Sequence, residues 1–144
     1  MKLTPFLVPA FLVIFVACGK NNSSSKPEIS IESINSPVYD STELQVKLKF
    51  TSTSGKLSGG SFVSIRTRLN QAPPTNLSGG DTIANPIPTF PSTQRGEFEY
   101  TLPYDYLTAT AHQNDTLIFK FAAIDAAGKS SDTISSAKIV IINP

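Results

Sequence analysis

The chain has 144 residues, 12 Lys or Arg, 11 Asp or Glu, one His and one Cys, for a net charge of +1. A near-neutral balance lacks the basic footprint of a nucleic-acid binder. One cysteine excludes a disulfide scaffold and a multi-cysteine zinc site, and 40% apolar residues argue against disorder along the whole length. One domain is expected.

Residues 1–17 have the pattern of a secretory signal: Lys2, an apolar run from Phe6 to Val16 broken by Pro9, and small Ala17 before Cys18. The run is too short for a membrane-spanning helix, which needs about 20 residues. Phe15-Val16-Ala17-Cys18 resembles the bacterial lipobox, with Phe15 where Leu is commonest. The resemblance implies cleavage before Cys18, a diacylglyceryl group on its thiol and acylation of the new amine. Each buried CH₂ contributes about 0.8 kcal/mol, so such a residue holds a protein on a membrane. Gly19 follows the cysteine, and no Asp does. In lipoproteins of the Gram-negative type this implies an outer-membrane destination. Residues 18–26 then form the lipidated Cys and a polar, apolar-free tether, the composition of a flexible spacer.

From Pro27 the pattern has period two. Ile29 and Ile31 alternate with polar neighbours, and Ser36-Pro37 marks a break. Leu44, Val46, Leu48 and Phe50 share one parity, and Glu43, Gln45, Lys47 and Lys49 the other, which predicts a half-buried strand. Thr51 to Gly60 reads as a turn region around Ser54-Gly55 and Gly59-Gly60. In Ser61 to Leu69, Val63, Ile65, Thr67 and Leu69 point one way, and Ser64, Arg66 and Arg68 the other. Residues 70–96 carry five prolines, which oppose continuous ladder pairing and allow short edge strands near Thr82-Ile83 and Thr89-Phe90.

Phe98, Tyr100 and Leu102 alternate with Glu97, Glu99 and Thr101 until Pro103. Tyr104 to Gln113 is a corner with room for one helical turn. Leu117, Phe119, Phe121 and Ala123 share one face of the next strand, and Ile118, Ala122 and Ile124 suggest partial cover on the other. Gly128 lies in a turn, and Ala137 to Ile142 is a last apolar strand. About seven short strands without a long helix predict an all-β antiparallel immunoglobulin-like sandwich over residues 27–144, with a barrel as the alternative.

Phe119 to Ser130, with Asp125-Ala126-Ala127-Gly128-Lys129-Ser130, resembles the F–G hairpin of fibronectin type III and related immunoglobulin-like domains, although Leu117 stands near the usual tyrosine-corner position. Val46 to Thr51, Gly96 to Tyr100 and Asn114 to Asp132 make residues 27–142 similar to uncharacterised lipoproteins of the Bacteroidota, which carry a lipidated Cys, a polar tether and one such sandwich. The turn Ser52-Thr53-Ser54-Gly55-Lys56 has no acid, so the cation suggested at that turn in several such proteins does not carry over. No activity comes with the resemblance.

Glu97 and Glu99 are two carboxylates on one strand face, as a glycosidase would need. Pairing of their strand with that of Lys47 and Lys49 explains them better as cross-strand charge pairs. His112 lacks a nucleophile elbow of the Gly-x-Ser-x-Gly type. Asp115, Asp125 and Asp132 sit near turns, where capping competes with calcium ligation. Four Asp-Ser/Thr triplets, starting at Asp40, Asp81, Asp115 and Asp132, resemble the short O-glycosylation acceptor of Bacteroidota. Phe90, Tyr104 and Tyr106, with the Pro-rich loop, are the candidate binding residues for a sugar ring or a partner chain. The alternative is that the tyrosines pack beneath the corner and bond backbone groups.

The expectation is a lipid-anchored cell-envelope protein, non-catalytic, with no metal or cofactor and no nucleic-acid partner. It binds the membrane through Cys18 and a protein or glycan through its loops. A carbohydrate-binding accessory lipoprotein of a glycan-uptake system is the alternative, and a hydrolase the least favoured.

Overall fold

The computed structural model describes residues 26–53, 56–70, 80–91, 93–109 and 113–144. Cys18, His112, Ser54-Gly55 and the 71–79 part of the Pro-rich loop lie outside the described residues.

Alternation builds the first sheet. β1 (Glu28–Ile34), β3 (Glu43–Thr51) and β6 (Arg95–Pro103) pair antiparallel in the order β1-β3-β6. Leu44, Val46, Leu48 and Phe50 are buried on its inner side, facing across from Leu102, Tyr100, Phe98 and Gly96 of β6. The charged parity of β3 is exposed, so this sheet has one dry and one wet face.

The second sheet has the order β2-β9-β7-β4-β5, from β2 (Val38–Tyr39), β9 (Ile139–Ile142), β7 (Asp115–Ile124), β4 (Ser61–Arg68) and β5 (Thr82–Pro86). β8 (Ile134–Ser135) pairs with β7 beside that path. After β1 the chain passes Ser36-Pro37 and joins the other sheet, where β2 runs parallel to β9. These two layers, with the first strand split between them, make the predicted immunoglobulin-like β-sandwich. β2 and β8 add to the expected strand count; two residues are too short to show a period. β5 is the edge strand foreseen at Thr82-Ile83, whereas Thr89-Phe90 is not a strand.

Aromatic rings fill the space between the layers. Phe62 lies 5.1 Å from Phe98, 5.1 Å from Tyr100 and 5.5 Å from Phe121. Phe119 stacks on Phe121 at 5.9 Å. Such pairs contribute about 0.5–1.5 kcal/mol beyond their area burial. Leu57, from the turn before β4, is fully buried and seals one end of the core.

β4 keeps its parities but assigns them unexpectedly. Phe62, Ser64 and Arg66 are buried, while Ile65 is 40% exposed. The pairing with β7 decides this, because Ser64 and Arg66 lie opposite the inward Phe121 and Phe119. Pro103 ends β6 as expected, and α1 (Tyr104–Leu107) is the single helical turn of the corner.

Candidate functional site

The three candidate binding aromatics occupy two ends of β6. Phe90 precedes its start. The Phe90 N–H donates to Ser58 Oγ (2.8 Å), and that hydroxyl donates to the Phe90 carbonyl (2.9 Å). Its ring lies 5.7 Å from Phe50, which lies 6.3 Å from Phe98. With Leu57, Ile87 and Pro88 these rings line an apolar recess of about 300 Å³, and Thr93 and Glu97 stand at its polar margin. Gly96 makes room for the Phe50 ring, since a Cβ there would lie 2.7 Å from it.

Tyr104 and Tyr106 lie past the far end of β6, on α1. The Tyr104 hydroxyl donates to the Ile142 carbonyl (3.0 Å) and contacts Asn143 Oδ1. Desolvation, followed by the nearby Asp40 charge, raises its pKa above the ordinary tyrosine value. The Tyr106 hydroxyl donates to the Gly80 carbonyl (2.5 Å), and the Arg66 guanidinium lies 4.5 Å over its ring. Both hydroxyls therefore bond backbone carbonyls. Tyr104 also borders an open polar concavity of about 660 Å³ with Asn35, Asp40, Thr42, Gln45 and Asp105. The structure thus groups the two tyrosines on one corner and sets Phe90 apart from them.

Glu97 and Glu99 face outward from the three-stranded sheet, opposite Lys49 and Lys47. Lys49 Nζ lies 2.6 Å from Glu32 and 3.9 Å from Glu97. The hydrogen bond to Glu32 is the main reason its pKa is raised. The two carboxylates stand on a charge ladder, the arrangement expected for cross-strand pairs.

The three turn aspartates are not brought together. Asp125 Oδ1 accepts from Ala127 N (2.9 Å) and Lys129 N (2.8 Å), capping its own turn. Asp132 pairs with Lys26 at 2.5 Å. Asp115 is fully buried and accepts from Ala109 N (2.9 Å). Among the described residues no group of three His, Cys, Asp or Glu is placed to hold a metal ion.

Sequence reasoning missed a buried ionic cluster beneath the corner. Arg66 Nε donates to Asp81 Oδ1 (3.0 Å) and its Nη1 to the Tyr106 carbonyl. Arg68 Nη1 donates to the Leu107 carbonyl (2.7 Å) and lies 3.4 Å from Asp115 Oδ2. The two guanidiniums hold carbonyls at the end of α1, groups a helix leaves without partners. Burial, followed by the charge of Arg66, lowers the Arg68 pKa. The available signal was the parity shared by Phe62, Ser64, Arg66 and Arg68.

No protein-family model and no curated protein matches the chain. Among solved structures, a mutant β-glucosidase from Listeria innocua in complex with laminaribiose is similar at TM-score 0.45 and 9% identity, covering 83% of this chain and 16% of that one. The major subunit of aggregative adherence fimbriae type I from Escherichia coli is similar at TM-score 0.30 and 11% identity, covering 83% of this chain and 96% of that one.

Proposed function

We propose that the chain is a lipid-anchored protein of the bacterial cell envelope, held on the outer membrane, whose β-sandwich is a non-catalytic binding or structural module. The observation that carries this reading is Cys18, the one cysteine of the chain, which follows a stretch with the pattern of a secretory signal and precedes an apolar-free segment. Supporting it, Glu97 and Glu99 stand opposite Lys49 and Lys47 on the wet face of a sheet, and only Glu97 borders a recess. The test is labelling of cells with a radioactive fatty acid. The wild-type chain takes up label and sediments with membranes; Cys18→Ser does neither. Equal labelling of both chains refutes the anchor.

The recess beside Phe90 favours a second reading, a carbohydrate-binding accessory lipoprotein of a glycan-uptake system. Phe90 and Phe98 are both part-exposed there, next to the acceptors Thr93 and Glu97, and ring faces of this kind stack on sugars. A glycan array probed with the wild type and with Phe90→Ala tests it. Signal lost in the variant supports the reading, and no signal from the wild type rejects it.

A further inference from the structure

β6 is the last strand of the three-stranded sheet, and among the described residues no strand pairs with its far side. Its pairing with β3 fixes which backbone groups lie there. Ser52 N donates to the Gln94 carbonyl (2.7 Å), and the register runs on from that pair through Phe50 with Gly96 and Leu48 with Phe98 to Leu44 with Leu102. Bonded pairs alternate along an antiparallel ladder, so the N–H and C=O groups of Glu97, Glu99 and Thr101 point away from β3. The other described edges are blunted. β1 carries a register shift between Ile31 and Ser33, β2 and β8 have two residues each, and β5 has five and ends on Pro86, which has no N–H to give.

The side of the sandwich beside this edge is incompletely covered. β6 lies over β4, where Phe98 and Tyr100 each come within 5.1 Å of Phe62. β5 is one strand further out, and β6 is the end of its own sheet. Ile83 and Asn85 pair with the inward Ser64 and Phe62 and so face the gap between the layers, yet Ile83 is only half-buried and Asn85 is exposed. Phe98 is half-buried, whereas Tyr100 and Leu102 further along β6 are buried. The apolar recess of Phe90, Ile87 and Pro88 is lined by Phe98 and Glu97 of this same edge.

We infer that an extended segment of another protein adds as a fourth strand to the free edge of β6. Its backbone answers the outward amides, which repeat every two residues as an extended chain does. Its inward side chains are apolar and cover Phe98, Ile83 and the recess. Its wet-face side chains are basic. They stand beside Glu97 and Glu99, since Lys49 is drawn to Glu32 at 2.6 Å against 3.9 Å for Glu97, and Glu99 has no ion pair among the described residues. A second copy of β6 is disfavoured as occupant, because an antiparallel pair centred on Phe98 sets Glu97 against Glu99 twice, and opposed like charges destabilise.

The test is fluorescence anisotropy of a labelled peptide, Thr-Val-Lys-Val-Lys-Val-Thr, titrated with the full chain in non-ionic detergent. The wild type binds it saturably, and the same peptide with Glu for both Lys binds at least about tenfold more weakly. Glu97→Lys with Glu99→Lys reverses that preference. Glu97→Gln with Glu99→Gln replaces this variant if it loses its β-sheet circular dichroism, and narrows the preference about fivefold or more. N-methylation of the peptide at one alternate set of residues abolishes binding to the wild type, and at the other set leaves it within about twofold, because only one set of amides faces β6. No saturation up to about 1 mM overturns the inference, as do equal effects of the two methylation sets or a charge preference that the variants leave unchanged. Concentration-dependent self-association of the chain that the peptide competes away assigns the edge to a second copy and also overturns it. The inference deepens the binding-module reading and is independent of the anchor. A peptide that fails to bind leaves the fatty-acid and glycan-array results untouched, and failed labelling leaves peptide binding untouched.

Discussion

Arg68 Nη1 and Asp115 Oδ2 lie 3.4 Å apart inside the sandwich, with the two side chains 1% and 0% exposed. Among the described residues, Arg68 Nε and Nη2 and Asp115 Oδ1 are buried without a hydrogen-bond partner. Removing one member of such a pair strands the other charge and costs about 3–5 kcal/mol, whereas replacing both with apolar residues of similar volume is often neutral. Asp115→Ala is therefore expected to lower stability by about 3 kcal/mol or more, the lost Ala109 N–H bond included. Arg68→Met with Asp115→Leu should recover most of that loss. Denaturant unfolding of the three chains checks both, and a double variant as unstable as Asp115→Ala would contradict the account.

Tyr100 and Ser64 share a buried hydroxyl–hydroxyl contact of 2.7 Å. Burial raises the Tyr100 pKa above the ordinary value of 10.0, against a smaller opposing effect of the Ser64 hydrogen bond. Above that value the folded chain holds a proton that the unfolded chain has released, so stability falls as pH rises. Melting temperatures measured from pH 7 upward should stay level to about pH 10 and then decline. Tyr100→Phe should soften the decline without removing it, because Tyr104 and Lys49 are shifted in the same direction. At neutral pH the same variant costs about 1–2 kcal/mol by leaving Ser64 without its partner.

Gly60 is held by backbone on two sides. A Cβ would lie 2.2 Å from the Ile124 carbonyl oxygen and 3.0 Å from that of Leu57. Neither atom belongs to a side chain that can rotate away, so Gly60→Ala is expected to cost about 3 kcal/mol. Its neighbour Gly59 has φ of 72° and open space where a Cβ would stand. Asn tolerates that backbone region, so Gly59→Asn should cost less than about 1 kcal/mol. Thermal melts of the two variants separate close approach from backbone conformation.

The inversion of β4 makes its own prediction. Ile65→Thr removes apolar surface from an exposed position and should shift stability by about 0.5 kcal/mol or less. Arg66→Ala, only one residue along, opens a cavity and strands Asp81 and the Tyr106 carbonyl, for a loss of about 2–4 kcal/mol. Equal effects at the two positions would reject the observed parity.

Much of the sandwich was legible because alternation is a local code. Residues 43–50 and 97–102 declare a period of two, and a strand with one apolar parity has little choice of face. The cross-strand pairing of Glu97 and Glu99 with lysines followed from the same patterns plus the strand order. The signal-like start and Cys18 are likewise read from residue order alone, and the anchor proposal rests on them. Tertiary structure decided where neighbours compete. β4 offers an apolar parity and a polar one, and the core took the parity that sets Phe62 among Phe98, Tyr100 and Phe121 and lets two arginines reach the carbonyls of the corner. No local pattern encodes those carbonyls, because they lie about 40 residues away along the chain (separations of 40 and 39). The parting of Phe90 from the tyrosines has the same origin. Residues close in sequence to either end of an extended nine-residue strand are held the length of that strand apart.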